Sequence, residues 1–339
     1  MSFPCPCPWS PCSASQQMSS PAHVPTPVWL AHDGYAVPIY PLYMLFTVSH
    51  ALLSRHNASS NDYPLFSPLL LSHCWRGTKA PGFNIIWEDT FTGAAGAPPN
   101  LDLWFLPQGI HTNNEQQSYT GNNDNLQISG GGTIQFIPRK APSGAWTSAR
   151  IETKQSFTPQ PGKVTIMEAA IRFGDGSAAN KQGIWPAFWM LGEAIHHGTP
   201  WPQCGELDIM ETVNGIPTAY GTAHCGTNPG GPCNEPIGRS NTVSIPNNDF
   251  HTWTIKIDRT NAGNFRDEVI TWLRDGQVYN TLTGADLGDE GVWGTLAHSP
   301  LFMILNLAVG GDWPGPPNAA TTDSYGSMME VEYVAVMTN

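Results

Sequence analysis

The run Gly205-Glu206-Leu207-Asp208-Ile209-Met210-Glu211-Thr212-Val213 sets three carboxylates within six residues, among apolar neighbours. In an extended chain successive side chains point to opposite faces. Leu207 and Ile209 then share the core face, while Glu206 and Asp208 share the other. Glu211 breaks the parity: it lies five positions after Glu206, so a regular ladder would turn it into the core. An isolated ionised carboxylate there costs several kcal/mol or is forced to protonate. One extra residue in the ladder, a β-bulge at Ile209 and Met210, costs far less and returns Glu211 to the acidic face. The stretch reads as a bulged strand with one apolar and one acidic face.

The same alternation continues outward on both sides. Thr165–Phe173 sets Met167, Ala169, Ile171 and Phe173 against Glu168 and Arg172, and His251–Asp258 sets Trp253, Ile255 and Ile257 on one face. Asp275-Gly276 is a two-residue hairpin signal between apolar runs. In Phe302–Gly311, Met303, Leu305, Leu307 and Val309 share one face and Asn306 takes the other, and in Met329–Val336, Val331 and Tyr333 alternate with Glu330 and Glu332. No helix with capping signals and a sustained 3.6-residue period is read. The pattern predicts an all-β chain whose residues 83–339 form a single two-sheet sandwich.

Residues 1–82 read differently. The opening is rich in Pro, Ser and Cys without a hydrophobic period, and its apolar patches (35–53 and 64–75) fall short of a clean membrane span. No orthodox signal peptide begins at Met1. A low-complexity or disordered segment, a displaced signal or anchor, and an incorrectly joined exon are all open readings.

Only 12% of residues are charged, about half the usual share, while Gly 34, Pro 31 and Trp 13 are high. Short strands, many turns and spare aromatic rings suit that mixture. The net charge of −12 repels nucleic acid and anionic membranes, so a neutral partner fits best. Cys225 and Cys233 bracket a Gly/Pro/Asn loop, which suits a disulfide in an oxidising compartment, with buried free thiols, Cys204 included, as the alternative. Zinc at His224, Cys225 and Cys233 is disfavoured because adjacent strand residues point apart.

With the bulge, Glu206 and Glu211 stand roughly 13 Å apart at Cα. Side chains leaning together would narrow the gap to about 5 Å, the spacing of a nucleophile and an acid/base in a retaining glycosidase, though the estimate alone leaves inversion open. Asp208 between them would orient Glu206 and raise the pKa of Glu211. A calcium site would want more oxygens on a flexible loop, and a solvated acidic face would not sit among so many rings. In Gly183–Leu191, Trp185 and Trp189 share the face opposite Phe188 and Met190. Such rings stack on sugars, and Trp201 and Trp313 flank them in loops, whereas Trp253 and Trp272 read as core. His224, on the returning strand, falls near Glu206. Arg172 and Asn306 complete the expected substrate contacts.

At these residues the chain resembles glycoside hydrolase family 16, in particular its laminarinase-like endo-β-1,3-glucanases. Glu206–Glu211 (ELDIME) matches the family's carboxylate pattern, and 183–191, 221–226, 304–315 and 329–336 resemble family segments in the right order, as 85–93 resembles the first strand. The resemblance covers about residues 84–339. It implies a β-jelly roll with a concave substrate cleft and retaining endo-hydrolysis of β-1,3- or mixed β-1,3/1,4-glucan. Glu206 would be nucleophile, Asp208 its assistant and Glu211 acid/base. No cofactor is required for catalysis and no nucleotide is expected. A structural Ca²⁺ held by Glu88 and Glu332 is implied by some members, although the family usually has Asp near the latter position. The enzyme is expected to act as a monomer on neutral glucan, outside the cell or in its wall. Transglycosylases and galactan-cleaving members keep two further activities open, and a non-catalytic jelly roll would have lost a carboxylate.

Overall fold

Alternating side chains from Asn84 onward resolve into eighteen strands in the computed structural model, which describes residues 80–339. The expectations for the segment before residue 80 lie outside the described residues. The first strands are short: β1 (Asn84–Asp89), β2 (Trp104–Phe105), β3 (Gln117–Tyr119), β4 (Leu126–Ile128), β5 (Ile134–Phe136), β6 (Arg139–Lys140), β7 (Trp146–Ser148) and β8 (Arg150–Thr153). The central ones follow: β9 (Val164–Phe173), β10 (Ile184–Gly192), β11 (Glu206–Glu211), β12 (Thr218–His224), β13 (Arg239–Ser244) and β14 (His251–Asp258). Then come β15 (Val269–Arg274), β16 (Gln277–Thr283), β17 (Leu301–Val309) and β18 (Met329–Thr338).

Two antiparallel sheets stack as a β-jelly-roll sandwich. One runs β16-β15-β14-β9-β18-β5-β4 with β1 added on β18; the other runs β13-β12-β11-β10-β17-β8-β2. A third, small sheet joins β3, β7 and β6 and lies against β17, whose Val309 N–H donates to Gln117 Oε1 at 2.7 Å. The seven-stranded sheet turns Phe188, Met190, Leu207, Met210, Leu305 and Leu307 inward, against Met167, Ile171, Trp253, Ile255, Trp272 and Val334 of the other. Each such side chain contributes about 1.5–3 kcal/mol by leaving water. Trp253 and Trp272 are thus core, as the sequence suggests. The turn between β15 and β16 is built by Asp275 and Gly276, both at positive φ (50° and 75°), the geometry that matches strand twist.

Two expectations need correction. Two short helices are present, α1 (Gly284–Leu287) and α2 (Glu290–Ala297). Thr283 and Asp286 form a capping box for the first, and Asp289 caps the second by accepting from the Val292 N–H. Neither helix is long enough to show a sustained period, so the caps were the readable signal. Val331 and Tyr333 do not share a face. The register slips between them, so Val331 and Val334 join the core while Tyr333 turns outward and donates to Glu168 at 2.7 Å. A bulge inverts parity beyond it.

Candidate active site

The bulge forms where parity requires it. Asp208 pairs with Thr222 and Glu211 with Tyr220 on β12, so three steps along β11 face two on its neighbour. On the β10 side, Asp208 faces Trp189 and Met210 faces Phe188, which leaves Ile209 as the extra residue. Leu207, Ile209 and Met210 are all fully buried. Backbone groups freed by a bulge need partners. Here they come across the core: the Trp272 indole N–H donates to the Asp208 carbonyl at 2.8 Å, and the Tyr279 hydroxyl donates to the Ile209 carbonyl at 2.6 Å.

Three rows of side chains therefore cross the open face of this sheet. Leu191, Glu206 and His224 form one, Trp189, Asp208 and Thr222 the next, and Ala187, Glu211 and Tyr220 the third. The Trp185 indole N–H donates to Glu211 Oε1 at 2.9 Å, and the Trp189 indole N–H donates to Asn306 Oδ1 at 2.7 Å. Trp313 meets Trp185 and Tyr220 edge-on at 5.4 and 5.0 Å between ring centres. Trp201 lies 5.5 Å from the His224 ring. Trp201 and Trp313 keep 37% and 42% of their surface exposed, so both rings are open to a ligand.

Burial sets the electrostatics, and the crowding of carboxyls adds to it at Glu206 and Asp208. Burial, reinforced by Glu211 and Glu235 and opposed by His224, raises the Glu206 carboxyl to about 7. Asp208, 3% exposed, is pushed well above the carboxylate range by burial and by the charges of Glu211 and Glu206. Burial also raises Glu211, against the Trp185 hydrogen bond and His224. Burial alone would depress His224, but its hydrogen bond to Glu235 and the surrounding carboxylates raise it overall. Asp208 Oδ2 lies 3.4 Å from His224 Nε2 yet has no hydrogen-bond partner. Burial thus raises all three carboxyls beside an imidazole that is itself raised, an arrangement in which one carboxyl can attack while another donates a proton.

Among the remaining expectations, Asn306, Trp185, Trp189, His224 and Trp313 all gather around the carboxylates. Arg172 does not, and its assignment is corrected. It lies on β9 in the other sheet, paired with Glu330 at 2.6 Å and packed over Phe250. Alternation gives that strand a polar face without saying which sheet's outer face it becomes. Glu88 pairs in register with Ala335, three residues beyond Glu332, and neither belongs to a group of three or more His, Cys, Asp or Glu among the described residues. An ion taking six to eight oxygens would have to draw most of them from backbone or water. Cys225 and Cys233 are joined as a disulfide, so neither thiol is left for zinc, and Cys204 is buried and free.

Sequence reasoning missed Arg150, Tyr119 and Glu235. Arg150 pairs with Glu152 at 2.7 Å, stacks 4.9 Å over Trp189 and faces Asn306 in register. Tyr119 accepts from the Asn306 amide at 3.1 Å. Arg150-Ile151-Glu152 alternates like any other strand, and Glu235 lies in an irregular loop with no period, so neither stood out in the sequence.

The profile of an XgeA-like, catalytic GH16 domain matches residues 112–269. A glucan endo-1,3-beta-glucosidase of Cryptopygus antarcticus is 32% identical over 284 residues, covering 79% of this chain and 96% of that protein. A beta-glucanase of Rhodothermus marinus is 30% identical over 277 residues, covering 77% of this chain and 87% of its own. Among solved structures, an endo-1,3-beta-glucanase from Streptomyces sioyaensis has a TM-score of 0.73 at 36% identity, covering 77% of this chain and 98% of that one. The bulged carboxylate strand and these alignments, which run through nearly the whole length of each relative, lead to one assignment: the chain belongs to glycoside hydrolase family 16.

Proposed function

We propose that this chain is an endo-hydrolase of β-1,3-glucan or mixed β-1,3/1,4-glucan that retains the anomeric configuration. The observation that carries the reading is the bulge at Ile209, which sets Glu206 and Glu211 on one open face with Asp208 between them. In the first step the Glu206 carboxylate attacks the anomeric carbon, the glycosidic C–O bond breaks, and Glu211 gives its proton to the departing oxygen. In the second, Glu211 takes a proton from water, whose oxygen attacks the anomeric carbon and frees Glu206. A protonated Asp208 holds a hydrogen for the Glu206 carboxylate and fixes its orientation. Relatives named glucan endo-1,3-beta-glucosidase and beta-glucanase support the linkage. The net charge of −12 suits a neutral glucan, and the Cys225–Cys233 disulfide suits work outside the cell or in its wall.

Laminarin, lichenan and galactan assayed for reducing ends, with proton NMR of the first products, test this. Laminarin should be cleaved internally with the β anomer first. Glu206→Gln and Glu211→Gln should each lose at least about a thousandfold in kcat, since an amide neither attacks nor donates. Near wild-type turnover in either variant, or an α anomer first, would overturn the assignment.

A further inference from the structure

Glu235 is the most enclosed acid near the site, its side chain having no exposed surface. Both oxygens are committed: Oε2 lies 2.7 Å from His224 Nδ1, and Oε1 accepts the Cys225 N–H at 2.8 Å. The loop closed by Cys225 and Cys233 delivers it, and its backbone bonds Gly230 in both directions, at 2.6 and 2.8 Å. Gly238 seals the other side of the ring. At φ +76°, a Cβ there would sit 2.8 Å from His224 Cε1 and 2.4 Å from Thr222 Cγ2. The imidazole is therefore held on its Nδ1 and Cε1 sides, and Nε2 is left facing the carboxylate row, 3.4 Å from Asp208 Oδ2 and opposite Glu206 in register.

We propose that Glu235 is a positioning residue for hydrolysis, fixing His224 with Nδ1 turned from the cleft so that the other edge of the ring presents positive charge to Glu206 and Asp208. This rests on Glu206 being the nucleophile. Glu235 has no surface with which to touch a substrate, so it acts through the imidazole alone, as a carboxylate behind a catalytic histidine does in hydrolytic triads.

The groups facing His224 fix the sign of the effect. Glu206, Asp208 and Glu211 come from β11 and Glu235 from the loop, while Arg239 on β13 is turned to the Pro232 carbonyl. Arg150 also acts on Glu206, from β8. At Glu206 the opposing pull of His224 outranks the push of Glu235. Loss of the Glu235 charge removes the largest of the interactions that raise the imidazole and so weakens its pull on Glu206, and Glu206 should hold its proton to higher pH.

The experiment is the pH profile of kcat and kcat/KM for Glu235→Gln and Glu235→Asp in the full chain, on laminari-oligosaccharides. In Glu235→Gln the acid limb should move upward, with kcat reduced about tenfold on that limb for each pH unit of displacement and KM nearly unchanged. Glu235→Asp should restore part of the displacement. A uniform loss with an unmoved limb would mean that the residue only supports the fold and would overturn the inference. Nitrogen NMR of the wild-type histidines is the second measurement, independent of whether the variant folds. His224 should titrate above free imidazole with its Nδ1–H hydrogen-bonded; a His224 neutral at pH 5.5 would overturn the inference as well. Turnover by Glu206→Gln would instead remove the underlying reading, so the two failures are distinguishable.

Discussion

At Glu206 the fold works against its own chemistry. Burial and the neighbouring carboxylates raise this group to about 7, well above an unfolded glutamate at about 4.3. The folded state then binds the proton more tightly than the unfolded state does. The associated stability is fully present below the unfolded value and is lost as pH rises through about 7. Glu206→Gln removes that loss. Its melting temperature should exceed the wild type's at pH 8, with the difference vanishing near pH 4, as calorimetry at the two pH values would show. An equal difference at both would mean that packing rather than ionisation sets it. Parity made Glu206, Asp208 and Glu211 legible in the sequence, because three acids on an apolar strand demand one common face. Arg150 and Glu235 were hidden for opposite reasons. The first looks like any outward strand residue until its sheet is known, and the second owes its place to a disulfide-closed loop with no period.

Strand β11 shows how a local irregularity is held from a distance. Its alternation foretold the bulge, but not that the freed carbonyls of Asp208 and Ile209 would be satisfied by Trp272 and Tyr279 on the opposite sheet. Those contacts cross about 60 to 70 residues of chain, and alternation within one strand carries no information about them. Tyr279→Phe leaves the Ile209 carbonyl unpaired beside the core. It should cost about 1–3 kcal/mol of stability. Because the carbonyl belongs to the bulged residue, kcat on laminarin should also fall while KM changes little. Denaturant unfolding and steady-state kinetics on the same preparation read both effects. A stability loss with kcat intact would show that the bulge holds its shape without this bond. The helices teach the complementary lesson: Thr283, Asp286 and Asp289 announced their caps, while Gly291 and Gly294 and the brevity of the elements hid the period.

Across the whole molecule, the two-sheet class was readable from alternation, but the strand order was not. The two neighbours of β10 illustrate the difference. Strand β11 follows it closely in sequence, while β17 pairs with it along its full length from more than a hundred residues away. Ala80, Phe83 and Ile85 pack on Val164, Ile166 and Met337, and the Phe83 N–H donates to the Ala80 carbonyl at 3.0 Å. Among the described residues, the main core cluster runs from Trp87 to Val336. A cut at Gly82, where composition changes, would therefore remove Ala80 from a satellite cluster, whereas a cut before Ala80 keeps it. A chain starting at Ala80 should melt within about 2 °C of the full chain, since a loss of 1 kcal/mol shifts a domain of this size by roughly that much or more. It should also keep the full kcat/KM on laminarin. A chain starting at Asn84 loses both Ala80 and Phe83 and should melt lower while its turnover is preserved, because this cluster lies on the sheet that does not carry the carboxylates. A large drop in melting temperature already at the Ala80 cut would show that earlier residues contribute to the fold.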